Sequence, residues 1–136
     1  MGLLGNVDDL ATDEEKALGG VPLDLGAGRV IYVRQGGGVN REAAWKASGI
    51  AERMAPELEG LDPRERDYRI YRQVSAELMV SRWEGFTDPK GAEAPYSAEA
   101  ALELFTASPE TLEAVNQLAT SPDAFRLDAD KKKSSR

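Results

Sequence analysis

The sequence predicts a mainly α fold: a small domain of four to five helices behind a short N-terminal β-hairpin. Three observations predict it. Tyr71, Val74 and Leu78 recur at spacings of three and four, with Ile70 adjoining, which is the helical period. Asp62-Pro63, Ser97-Ala98 and Ser108-Pro109 are helix starts, because a short polar side chain can accept from an orphan N–H and proline loses nothing at the first position. Only one stretch, Arg29-Val30-Ile31-Tyr32-Val33-Arg34, is dense in β-branched and aromatic residues, and a Gly26-Ala27-Gly28 turn precedes it.

The elements follow in order. Residues 1–20 read as a weakly ordered N-terminal segment, with Leu3, Leu4 and Leu10 isolated among glycines and acids. Asp13 to Leu18 suits a turn or two of helix, capped by Thr12 or Asp13 and ended by Gly19-Gly20. Residues 21–35 form the hairpin. A lone two-stranded hairpin is marginal in water, so it must lean on the helices or pair with another chain. Gly36-Gly37-Gly38 reads as a flexible spacer that lets the hairpin move. The helical domain spans 40–126. Asn40 caps a helix from Arg41 to about Ala55, with Ala44, Ala47, Ile50, Ala51 and Met54 inward and Pro56 as its stop. The longest helix runs from Pro63 to about Trp83, ended by Gly85. Shorter helices cover 98–107, with Ala101, Leu104 and Phe105 inward, and 109–119, with Leu112, Val115, Leu118 and Ala119 inward. Ser121-Pro122 opens a last turn carrying Phe125. Residues 127–136 are polar and read as a disordered tail.

Composition narrows the function. The 136 residues fit one domain with one modest core. Net charge is −7 and the pI about 4.7, which opposes a broad nucleic-acid footprint. There is no cysteine and no histidine. That removes thiolate metal sites, the commonest imidazole ligand and the commonest acid–base group near neutral pH. No apolar run approaches the ~20 residues that span a bilayer, and no signal-peptide core follows Met1, so a cytoplasmic location is expected.

No stretch carries recognisable chemistry. Gly36-Gly37-Gly38 is followed by Val39-Asn40-Arg41, without the Lys-Ser/Thr that a phosphate loop requires. The acidic groups Asp8-Asp9, Asp13-Glu14-Glu15 and Asp128/Asp130 lack the spacing of a hard-cation loop. We therefore assign no catalytic, cofactor or metal residue, and read the chain as non-enzymatic. Arg64, Arg66, Arg69 and Arg72 concentrate positive charge at the start of the long helix, although Glu65 has the favourable order for pairing with Arg69. Trp83 suits either a core anchor on Leu104 or Phe105 or a binding hot spot. Trp45 is out of phase with the Ala44/Ala47/Ala51 face, so it closes over the hairpin or faces a partner.

One combination is distinctive: Trp83-Glu84-Gly85, the Thr87-Asp88-Pro89-Lys90-Gly91 turn, Pro95-Tyr96-Ser97 and the Phe125 segment. On these residues, and on the order of hairpin, spacer and basic helix entry, the chain resembles the tail assembly chaperones of long-tailed bacteriophages and prophages over roughly residues 20–126. The resemblance implies a protein that binds the tape measure protein, keeps it soluble, assists the tail tube protein and leaves before the virion matures. It also implies self-association and transfers no catalytic residue. Alternatives from other classes are a virion or head–tail joining structural subunit and a small acidic regulator of a host protein. From this sequence, candidate partner contacts are Trp45, Ala47, Ala51, Arg66, Arg69, Leu102 and Phe105. The strand Val30, Ile31, Tyr32 and Val33 is the candidate for homo-oligomer formation, since an unpaired edge seeks another strand. Lys131-Lys132-Lys133 is compatible with an adenine-rich slip site, and hence with a longer product made by ribosomal frameshifting.

Overall fold

The computed structural model describes residues 3–127. Helix α1 is Glu14–Gly19, strands β1 and β2 are Val21–Gly26 and Arg29–Val33, and helices α2 and α3 are Arg41–Leu58 and Pro63–Val74. A π-helical turn, Ser75–Met79, leads straight into strand β3, Val80–Glu84. Helices α4 and α5, Ala98–Ala107 and Pro109–Ala119, and a 3-10 turn at Pro122–Phe125 complete the chain. The fold is mainly α, as the sequence predicts, but its sheet has three antiparallel strands in the order β1-β2-β3.

The helix starts are where the caps place them. Asp62 Oδ1 accepts from the Arg64 N–H at 2.8 Å, Ser97 Oγ from Ala100 at 3.1 Å and Ser108 Oγ from Thr111 at 3.3 Å. Asp13, itself buried, accepts from Glu15 and Lys16 at the start of α1. Asn40 precedes α2 but does not cap it through its side chain. Its amide donates instead to the Gln35 carbonyl at 2.8 Å and clasps the glycine loop. The Gly36 N–H donates to the Ala119 carbonyl at 2.8 Å, and a Cβ on Gly36 would meet Met79 Sδ at 3.3 Å. That loop is therefore docked on the helices, which corrects its reading as a free hinge.

Three further expectations are corrected. Helix α2 runs through Pro56 to Leu58, because Leu58 is buried and its burial is worth about 2 kcal/mol, which offsets the bond lost in a last turn. Its buried face is Ala43, Ile50 and Leu58, while Ala44 is exposed. The long helix from Pro63 to Trp83 is in fact α3, the π turn and β3. The first twenty residues are not loosely attached throughout. Ala17 and Phe125, both fully buried, form a small second core with Val21, and Asp13 N–H donates to Phe125 O at 2.7 Å. The described part of the C-terminal end continues this contact, with Leu127 N–H donating to Ala11 O at 3.1 Å.

The main core lies between the inner sheet face and the helices. Ile31, Val33 and Val80 meet Ala76 and Met79 of the π turn, Ala101 and Phe105 of α4, and Leu112, Val115 and Ala119 of α5. Strand β2 is central: Ile31 faces Leu23 on one side and Trp83 on the other. The expectation that Val30–Val33 presents an open edge is therefore corrected, since β3 supplies the missing partner and Ile31 and Val33 are 0% exposed. The hairpin instability anticipated from two strands is relieved within the chain.

Candidate functional site

The residues around Trp83 build the most defined surface feature. β3 ends at Glu84, and Gly85 follows with φ +84°, a left-handed conformation that glycine adopts without a side-chain penalty. A Cβ at Gly85 would lie 2.0 Å from the Gly28 carbonyl oxygen, so the hairpin turn and the chain after β3 touch backbone to backbone. The chain then turns back on itself. Asp88 Oδ1 accepts from Lys90 N–H at 2.9 Å and Ala92 N–H at 3.0 Å, while Asp88 N–H reaches Ala92 O at 2.8 Å and Ala94 N–H reaches Phe86 O at 2.9 Å. This self-bonded turn sets Phe86 on Trp83, with ring centroids 4.3 Å apart and stacked.

Tyr96 closes the cluster edge-on to Trp83, with centroids at 5.6 Å. Both polar tips are satisfied. Trp83 Nε1 donates to Ala94 O at 2.8 Å, and the Tyr96 hydroxyl donates to Ala76 O at 2.6 Å. Burial pushes the Tyr96 phenol up, which keeps it a donor. Its acceptor is one of the carbonyls left free where the helix ends; Arg34 takes others, with its N–H 2.8 Å from Met79 O and its guanidinium 3.4 Å from Leu78 O. The helix-to-strand switch is thus held by Arg34, just after β2, and by Tyr96 in the segment before α4.

The outcome is an apolar depression of about 470 Å³ between this turn and α4. Trp83 and Phe86, both half-buried, and Leu104 line it, and Asp88 and Glu103 stand among its lining residues. A second depression of about 560 Å³ lies beside α2, lined by Leu18, Val39, Ala43 and Leu78 with Arg34, Arg41 and Lys46. Trp45 stands over it, 72% exposed. Lys46 pairs with Glu42 at 3.2 Å on that rim.

The candidate partner residues do not converge on one site. Trp45 faces solvent beside the second depression, while Ala47 and Ala51 are half-buried on α2. Arg66 is exposed and Arg69 half-buried on α3, and both are paired locally, Arg66 with Asp67 at 3.7 Å and Arg69 with Glu65 at 2.9 Å. Phe105 is 0% exposed and belongs to the core, so it offers nothing to a partner without unfolding; Leu102 packs half-buried beside that core. Phe86, Asp88 and Glu103 carry the first depression and were not among the sequence candidates. The signal for Phe86 and Asp88 was the Trp-Glu-Gly-Phe run with its Asx turn; Glu103, on α4, had none. Among the described residues no group of His, Cys, Asp or Glu could hold a metal ion, and no helix is long and apolar enough to cross a membrane.

Glu77, on the π turn, ties α2 to this framework. Arg53 donates to both its carboxylate oxygens and Gln73 to one of them. Burial pushes the Glu77 carboxyl up, but the bonds from Arg53 and Gln73 and the Arg53 charge outweigh it, and the group sits below its ordinary range.

Fold and surface together define a small α-rich domain with a covered three-stranded sheet and two apolar depressions open to solvent. The chain belongs to the YdaY prophage protein family, whose model matches residues 38–134. It is a phage-associated protein. No curated protein and no solved structure matches it. The family match takes in α2 to α5 and β3, but not β2, on which β3 pairs, nor β1 beyond it.

Proposed function

We propose that this prophage protein is a tail assembly chaperone that binds the tape measure protein and keeps it soluble until the tail tube protein is recruited. The observation that carries the reading is the preformed aromatic depression at Trp83, Phe86 and Leu104 on an otherwise acidic, soluble-looking surface. A long helical client exposes apolar stripes before assembly and aggregates through them. A shallow groove covers one such stripe weakly, and several copies along one client convert weak contacts into a stable coat. The exposed Trp45 beside the second depression gives each copy another apolar contact. Prophage family membership and the resemblance of the Trp83–Phe125 stretch to tail chaperones support the same assignment. On this reading the protein is not an enzyme, acts in the host cytoplasm, uses neither nucleic acid nor membrane, and is left out of the finished virion. Self-association then uses surfaces other than the covered β2. The frameshift proposal rests on Lys131-Lys132-Lys133, which lies outside the described residues.

Co-expression tests it. The full chain raises the soluble yield of the neighbouring tape measure protein, and mass spectrometry of purified particles does not find the chain. Its stoichiometric presence in virions would make it a structural subunit instead.

A further inference from the structure

The Trp83 depression has a chemical selectivity of its own. Its floor is apolar, yet its rim is acidic: Asp88 on the turn and Glu103 on α4 both line it. Along the chain the sign persists, since Glu93, Glu99, Glu103, Glu110, Glu113 and Asp123 all fall between residues 91 and 125, where there is no lysine or arginine. Lys90 is the one cation on the turn and does not line the depression. Arg82 lies on the other face of the sheet, its guanidinium 3.6 Å from the Tyr32 ring centroid. Asp88 spends Oδ1 on the turn, while Glu103 is exposed and makes no ion pair among the described residues.

The walls also limit how an occupant binds. The indole N–H is taken by Ala94 O, and the turn from Phe86 to Ala94 is bonded to itself. The turn itself offers no backbone ladder to an added strand, so an occupant seated against it arrives with its own backbone satisfied, as a helix does. We infer that the depression receives one aliphatic side chain of a partner's amphipathic helix that carries lysine or arginine one turn to either side. A second copy fits poorly. It carries the same net charge of −7; its exposed Leu3, Leu4 and Leu10 neighbour Asp8 and Asp9, its exposed Leu18 lies on a helix of only six residues, and its exposed Trp45 and Tyr68 are aromatic rather than aliphatic. This deepens the chaperone reading and rests on it for the occupant being another protein.

The chain has two tryptophans, so Trp45→Phe leaves Trp83 as the single reporter. The probes are a synthetic amphipathic helical peptide with one leucine flanked by lysines at one-turn spacing, and its twin with glutamates instead. The lysine peptide shifts Trp83 emission and binds about tenfold tighter than the twin at low salt, with the gap closing at high salt. Glu103→Lys, a change at an exposed helical position, removes that preference. Ala107→Arg, exposed on the same rim near the C-terminal end of α4 where a cation is tolerated, weakens the lysine peptide likewise. Equal binding of the two peptides, or a preference unchanged in both variants, overturns the inference. So does Trp83 emission that changes on dilution of the protein alone, which would show a second copy in the groove. Lysine-peptide binding without any gain in tape measure solubility supports the groove chemistry and removes the chaperone reading. Solubilisation that survives both variants while the peptide fails to bind overturns this inference alone.

Discussion

Tyr96 links three parts of the molecule through one side chain. Its ring meets Trp83 and its hydroxyl meets a carbonyl of the π turn. Tyr96→Phe keeps the ring and strands the Ala76 carbonyl, so unfolding free energy should fall by about 1–2 kcal/mol in urea titrations. Trp83 is half-buried, so Trp83→Ala should cost about 2–3 kcal/mol, below the range for a fully buried tryptophan. Glu77 gives a pH-dependent counterpart. Its folded pKa is depressed, so its contribution is present above the unfolded value of about 4.3 and is lost as pH falls through the folded one. Arg53 is more than half exposed, so solvent screens the pair and keeps its contribution small. Thermal melts of Glu77→Gln and the parent should converge in acid and separate near neutral pH. Some of this residue-level detail was legible: the caps at Asp62, Ser97 and Ser108 depend on local spacing alone. The partners of Tyr96 and Arg34 were not, because they come from distant parts of the chain.

At the scale of elements, the sequence period read Pro63 to Trp83 as one helix because Tyr71, Val74 and Leu78 keep helical spacing up to the π turn. The switch lies in the next five residues. Val80 and Trp83 turn inward while Arg82 and Glu84 turn out, with Ser81 absorbing a register shift. So short an alternation cannot by itself be told from a helical stretch. What decides it is tertiary: a two-stranded hairpin lacks a partner, and β3 supplies one. Helices α4 and α5 were legible to the residue because proline, serine caps and apolar period agree there. Two glycines test the element-level account in opposite directions. Gly49 lies inside α2, and a Cβ there meets nothing, so Gly49→Ala should raise stability by about 0.5–1 kcal/mol. Gly85→Ala combines a left-handed φ with a Cβ driven into Gly28 O, and should lower stability by more than about 3 kcal/mol. It should also loosen Phe86, read as a red shift of Trp83 emission in the Trp45→Phe background.

At the scale of the molecule, the family-defining segment and the folding unit differ. Residues 38–134 hold the helices and β3, and by sequence alone they look like a self-sufficient helical domain. The structure makes them depend on what precedes. Ile31 and Val33 of β2, both fully buried, fill the centre of the main core, and β3 has β2 as its neighbour in the sheet. Phe125 packs against Ala17 and Val21, and the Gln35 N–H, just before the glycine loop, donates to Ala17 O at 2.9 Å. Removing residues 1–37 therefore deletes two large core side chains, strips a five-residue edge strand of its one partner and uncovers Phe125. Each lost Ile or Val side chain alone is worth about 1.5–3 kcal/mol, and a domain of this size holds only about 5–15 kcal/mol in total. A 38–134 fragment should consequently lack a cooperative thermal transition and should aggregate through β3. Deleting residues 1–10 should be nearly neutral, since Leu3, Leu4 and Leu10 are exposed. A fragment that melts cooperatively near the parent temperature would show that the helices carry their own core and that the sheet is an accessory to them.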